Sequence, residues 1–126
     1  MQVLILAAGM GKRLGSLTKD NTKCMVKVNG VTLIERLLAI VSRHPISRII
    51  IVVGYKKVAL KDYLGDKYKE IPIVYIENEI YYNTNNIYSL YLAKKYLLEE
   101  DTLLLESDLI FDAKIVDRIM LDPYPN

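Results

Sequence analysis

After Arg48 come three isoleucines and two valines in unbroken succession, closed by Gly54. A strand with one wet face alternates apolar and polar residues. An unbroken β-branched run is a strand covered on both faces, the situation of parallel sheets. Residues 3–6, Val-Leu-Ile-Leu, repeat the pattern and end in small residues and glycine. Residues 73–76 and 102–105 read as two further strands. Between them lie helical patterns. In residues 32–42, Leu33, Leu37, Ile40 and Val41 fall on one face, with Glu35, Arg36 and Ser42 turned to water, and Pro45 stops the helix. Residues 58–64 form a short helix ended by Gly65. Residues 87–98 carry an inner stripe of Leu90, Ala93, Tyr96 and Leu97. Asp112 N-caps a last helix through Leu121. Strands alternating with helices predict an α/β fold: a Rossmann-like three-layer sandwich with a mainly parallel sheet and right-handed crossovers. Residues 9–29 show no periodicity and read as a long functional loop.

Such sheets bind ligands outside the carboxyl ends of their strands. Three segments start there: the loop after Leu6, the turn at Gly54-Tyr55, and Glu106-Ser107-Asp108. The first reads Leu6-Ala-Ala-Gly-Met-Gly-Lys-Arg-Leu14. Gly9 and Gly11 let backbone N–H groups approach a phosphate with no Cβ in the way. Lys12 and Arg13 add cationic donors, and a guanidinium can grip phosphate oxygens in a fork. The loop is neither a dinucleotide fingerprint, which needs glycine at Leu14, nor a Walker A loop, which needs glycine at Leu6 and a hydroxyl at Arg13. Spacing alone also allows a plain turn with two solvated basic residues. Asp108 is a hard oxygen donor of the kind Mg²⁺ takes; a strand-end aspartate can equally cap a turn. Alternation turns Glu106 to the same side.

The segment Tyr81-Tyr-Asn-Thr-Asn-Asn-Ile-Tyr-Ser-Leu-Tyr91 joins stacking rings to amides that can read both edges of a base. An asparagine-capped helix with tyrosines partly in the core is the plainer reading, and the two are compatible.

The glycine loop, then Leu17-Thr18, Lys23, and Val28-x-Gly30-x-x-Leu33-Ile34, together resemble the signature of the sugar-1-phosphate nucleotidyltransferase superfamily. The pattern spans some thirty residues at fixed offsets. Ser16, Thr22 and Thr32 stand where that family favours proline, which bears on loop rigidity and removes no charge. The resemblance implies that Leu6, Ala7, Ala8, Gly9, Gly11 and Lys12 hold the nucleotide. It implies that Arg13 stabilises the leaving pyrophosphate, that Lys23 contacts phosphates at the reacting centre, and that Asp108 binds Mg²⁺. The run Asn85-Asn86-Ile87-Tyr88-Ser89-Leu90-Tyr91 resembles the LicC-type phosphocholine cytidylyltransferases and related small-molecule cytidylyltransferases. It implies base or ribose contacts from Asn86 and Ser89, CTP as donor, and a phosphorylated small molecule such as phosphocholine as acceptor. Sugar-1-phosphate uridylyl or thymidylyl transfer, and a nucleotide-binding module without catalysis, are the alternatives. The superfamily's second metal-binding aspartate has no match after Asp108. With Pro123 and Pro125 in the final residues, the 126 residues are expected to be the nucleotide-binding portion of a nucleotidyltransferase domain, truncated on its C-terminal side.

A net charge of +2 is too small to argue for nucleic acid or an anionic membrane surface as partner. No apolar run is long enough to span a bilayer, and the single cysteine, Cys24, fits a reducing, cytoplasmic setting. Cys24 reads as a packing residue, and His44 as a helix-end residue. A homodimer is left open.

Overall fold

Strand β1 (Gln2–Ala7) is buried along its whole length between two parallel neighbours, β4 (Ile49–Val53) and β7 (Thr102–Glu106). The computed structural model describes residues 1–8, 23–81, 86–106 and 113–120. Beyond β4 lies β6 (Ile71–Glu77), also parallel, edged by the short antiparallel β5 (Lys67–Tyr68). The order is β5-β6-β4-β1-β7.

Alternation along the strands builds two cores. Val3, Ile5, Ala7, Ile49, Ile51 and Val53 face one layer of helices. Helix α1 (Leu33–Val41) supplies Ile34, Leu37, Leu38 and Val41 there, α2 (Lys57–Leu64) supplies Leu60, and α5 (Ala113–Met120) supplies Val116. On the other face Leu4, Leu6, Ala8, Ile50 and Val52 meet Ala93, flanked by Leu90, Tyr96 and Leu97 from α3 (Asn86–Leu92) and α4 (Lys94–Leu97). The isoleucine run is thus covered on both sides, as its lack of alternation requires. Each such side chain taken from water contributes about 1.5–3 kcal/mol.

Three local features differ from the expectation. Part of the segment read as loop holds a 3₁₀ turn (Lys23–Met25) and a hairpin of β2 (Lys27–Val28) and β3 (Val31–Thr32). Its two-residue turn is Asn29-Gly30, both with φ positive, at 54° and 81°. That is the geometry in which Asn-Gly closes a hairpin. Thr32 then caps α1, its Oγ1 accepting from Glu35 N at 3.1 Å. The second hairpin, β5–β6, turns on Lys69 and Glu70 with φ of 46° and 71°, residues that carry no turn signal. The single helix expected over residues 87–98 is two, broken at Ala93. Its N–H is shared between Ser89 O at 3.3 Å and Leu90 O at 3.1 Å, so the chain tightens there.

Among the described residues no helix is long and apolar enough to cross a membrane. Cys24 is fully buried in the first core, and His44 Nε2 meets Asp117 Oδ1 of α5 at 2.8 Å.

Candidate functional site

The first three long strands run outward from the centre, β1 to β4 to β6, and the chain then returns to lay β7 on the opposite side of β1. Strand order therefore reverses between β1 and β7. A crevice opens at such a reversal, outside the carboxyl ends of the strands. Leu6 is in register with Glu106 across it. The strand that runs into the glycine loop and the strand that runs into Asp108 are therefore direct neighbours.

A second group lines the adjacent ends of β4 and β6. Tyr55 N donates to Ala8 O at 3.1 Å, tying the turn after β4 to the end of β1. Gly54 is required by close approach: a Cβ there would sit 2.7 Å from Tyr81 Cβ, 2.9 Å from Tyr81 Cγ and 3.0 Å from Ala8 O. The Tyr55 and Tyr81 rings lie 6.0 Å apart, tilted by 50°. Asn78 follows β6 directly and is 2% exposed. Its N–H donates to Val53 O at 2.7 Å, its Oδ1 accepts from Ile80 N at 3.1 Å, and its Nδ2 donates to Ser89 Oγ at 3.2 Å. Glu77, at the end of β6, is held below the usual carboxylate range by Lys61 first and Lys57 second, with contacts of 2.6 and 3.1 Å. Lys57 and Lys61 are thus ion-pair partners of Glu77.

Of the residues singled out in the sequence, Leu6, Ala7 and Ala8 are buried at the end of β1. Lys23 opens the 3₁₀ turn and Asn86 opens α3. Ser89 is 2% exposed, one turn into α3, with its hydroxyl on Asn78. Gly9, Gly11, Lys12, Arg13, Asp108 and the proposed cap Asp112 lie outside the described residues. Tyr88 and Tyr91 stack on one another at 6.2 Å. Asn78 and the steric role of Gly54 escaped the sequence reading. The available signal was a polar residue directly after an apolar strand.

Among the described residues no three His, Cys, Asp or Glu side chains are grouped to hold a metal. The described oxygen donor at the β1/β7 reversal is the exposed Glu106, two residues before Asp108. Carboxylates at this place are the donor type that a hard cation such as Mg²⁺ takes.

Residues 3–122 match the MobA-like NTP transferase domain. The chain belongs to the MobA-like NTP transferases. This NTP transferase domain is 36% identical over 123 residues to the 2-aminoethylphosphonate cytidylyltransferase of Lancefieldella rimae, covering 98% of this chain and 47% of that protein. It is 32% identical over 119 residues to the UTP–glucose-1-phosphate uridylyltransferase AglF of Haloferax volcanii, covering 94% and 48%. The solved structure of the CTP:phosphocholine cytidylyltransferase LicC of Streptococcus pneumoniae matches with a TM-score of 0.75 at 39% identity, covering 89% of this chain and 47% of that one. The NTP transferase chain thus spans about half the length of these relatives.

Proposed function

We propose that this chain is the nucleotide-holding part of a cytidylyltransferase, which transfers CMP from CTP to a phosphorylated or phosphonylated small molecule and releases pyrophosphate. The observation that carries the reading is the β1/β7 strand reversal, where the strands leading to the glycine loop and to Asp108 lie side by side in register. The choice of CTP is supported by likeness to two enzymes named as cytidylyltransferases, at 36% and 39% identity.

In this reading backbone groups from Leu6 to Gly11, with Lys12, hold the triphosphate. Arg13 and Lys23 offset charge on the phosphates, and Asn86 reads the base. Asp108 is the residue that would hold Mg²⁺, which when bound offsets phosphate charge. An acceptor phosphate oxygen forms the new bond to the α-phosphorus. The bond from that phosphorus to the α,β-bridging oxygen breaks, and pyrophosphate leaves with the electron pair. The acceptor is already ionised near neutral pH, so the chain's residues position and neutralise charge and no general base is required. A cytoplasmic location fits these substrates.

Pyrophosphate release by the full-length protein, with CTP, UTP, TTP, ATP and GTP crossed against phosphocholine, aminoethylphosphonate, inositol phosphate and glucose 1-phosphate, tests the reading. CTP-selective release with a non-sugar acceptor is expected. Asp108→Ala should then lower Mg²⁺-dependent turnover by about 10³-fold or more with folding retained, the scale on which charge stabilisation operates; a wild-type rate would remove the metal assignment. The likeness to AglF favours one second reading, uridylyl transfer to a sugar phosphate, which UTP-selective release with glucose 1-phosphate would establish.

A further inference from the structure

Helix α3, whose first residue Asn86 is proposed to read the base, is tied to the end of β6 by one buried side chain, Asn78. Before it, Asn78 Oδ1 holds Ile80 N. Within it, Asn78 Nδ2 holds Ser89 Oγ of α3. A third bond, from Asn78 N to Val53 O, fixes the asparagine itself to the end of β4. The amide's orientation is settled chemically. Ile80 N–H can only donate, so the amide oxygen faces it and the amide nitrogen faces Ser89.

Among the described side chains, Leu90 of α3 and Ala93 directly after it also pack against the sheet. Apolar contact is non-directional: it fixes the distance between layers but resists sliding and rotation weakly. A hydrogen bond between two side chains, each 2% exposed, has a direction and costs desolvation when misaligned. The pair therefore sets where α3 starts relative to the carboxyl ends of β4 and β6. Tyr81, three residues after Asn78, is wedged against Gly54 and fixes the described chain after β6 at a second point.

We propose that Asn78 and Ser89 form a positioning pair that sets α3, and with it Asn86, against the nucleotide base, and so governs nucleotide affinity and selectivity. This rests on the cytidylyltransferase reading above. Ser89 then acts through Asn78 and does not touch the nucleotide.

The test is steady-state pyrophosphate release by the full-length protein carrying Ser89→Ala, Asn78→Ala or both, with CTP and UTP varied separately from the acceptor. Ser89→Ala is expected to raise KM for the preferred nucleotide about tenfold and to narrow the preference between the two. It should leave kcat within about twofold and the acceptor KM unchanged, the pattern of lost ground-state positioning. Asn78→Ala should do the same, and the double variant should be no worse than the more impaired single variant, because both remove the shared Asn78–Ser89 bond. An unchanged nucleotide KM in Ser89→Ala, whatever its melting temperature, would overturn the proposal. So would additive losses in the double variant, which would mean that Ser89 touches the nucleotide itself. If Asn78→Ala does not fold, Ser89→Ala still decides, since it leaves the Asn78 bonds to Val53 and Ile80 in place. A wild-type protein silent with every nucleotide would instead overturn the cytidylyltransferase reading, and this proposal with it; an active wild type with an unchanged Ser89→Ala overturns the proposal alone.

Discussion

The two ends of the central sheet handle buried polar groups differently. At the amino end Gln2 is fully buried and both ends of its amide are engaged: Nε2 donates to Tyr96 O at 2.6 Å and to Thr102 Oγ1 at 2.7 Å, and Oε1 accepts from Arg48 Nε at 2.6 Å. Arg48 also pairs with Glu99 at 2.5 Å and lies 4.8 Å from the Tyr96 ring centroid. This end is a closed knot that joins β1, β4, β7 and α4. At the carboxyl end the ties among the described residues run through backbone groups, the neutral amide of Asn78 and the exposed Glu77 ion pairs, and a glycine is pressed against a tyrosine. One end spends its polar groups on itself. The other carries the strand reversal at which a crevice opens. A fold with this division can change its carboxyl-end loops without loosening its amino-end knot.

The largest expected effect comes from filling the tight spot at the carboxyl end. In Gly54→Ala the new Cβ meets Tyr81 Cβ and Ala8 O, a side-chain root and a backbone atom that cannot swing aside. Overpacking of this kind costs about 3 kcal/mol at its upper range. Urea unfolding should show that loss, and nucleotide KM should rise with it, since Tyr81 and the end of β1 must both shift. A variant with wild-type KM would break the link drawn here between packing at this end and nucleotide binding.

The converse variant acts on the knot. Gln2→Leu takes the acceptor from Arg48 Nε and the donor from Tyr96 O, while Thr102 Oγ1 keeps its bond to Glu100 O, and should cost about 2 kcal/mol in urea unfolding, the scale for stranding buried polar groups. KM and kcat should stay unchanged. A kinetic change as large as that in Gly54→Ala would show that the two ends are coupled, and the comparison would fail.

Much of this layout could be read from the sequence, and the gaps have physical causes. The buried strands were legible because burial on both faces leaves no room for polar residues at Ile49–Val53. The inner stripe of Leu90, Ala93, Tyr96 and Leu97 was legible because helical periodicity survives the tightening at Ala93. The Asn29-Gly30 hairpin was missed although its dipeptide is a strong turn signal, because the surrounding segment is otherwise aperiodic. The Lys69-Glu70 turn offered no signal at all: its positive φ values are imposed by the pairing of β5 with β6. In the candidate site, sequence order carried the strand ends but not what meets there. Nothing in the positions of residues 54, 78, 81 and 89 states that they touch; that follows only once β4 and β6 lie side by side.

A smaller effect, belonging to neither end, provides the control. Tyr75 lies mid-strand in β6, opposite Ile51, and its hydroxyl donates to Gly65 O. Burial first, and the charge of Asp66 second, push its pKa from 10.0 up to about 12. Above pH 10.0 the unfolded chain gives up this proton while the folded chain keeps it. The folded state then binds more protons than the unfolded one, so stability falls as pH rises. The contribution is whole below pH 10.0 and is lost as pH climbs through about 12. Tyr63 and Tyr68 are shifted in the same direction, by burial and by Glu35, so Tyr75→Phe should make the alkaline fall shallower without abolishing it. Urea midpoints measured across that range check this. Gly54→Ala and Gln2→Leu should show the same alkaline slope as wild type, each displaced by its own constant loss. A changed slope in either would mean that its damage reaches the middle of the sheet and is not confined to one end.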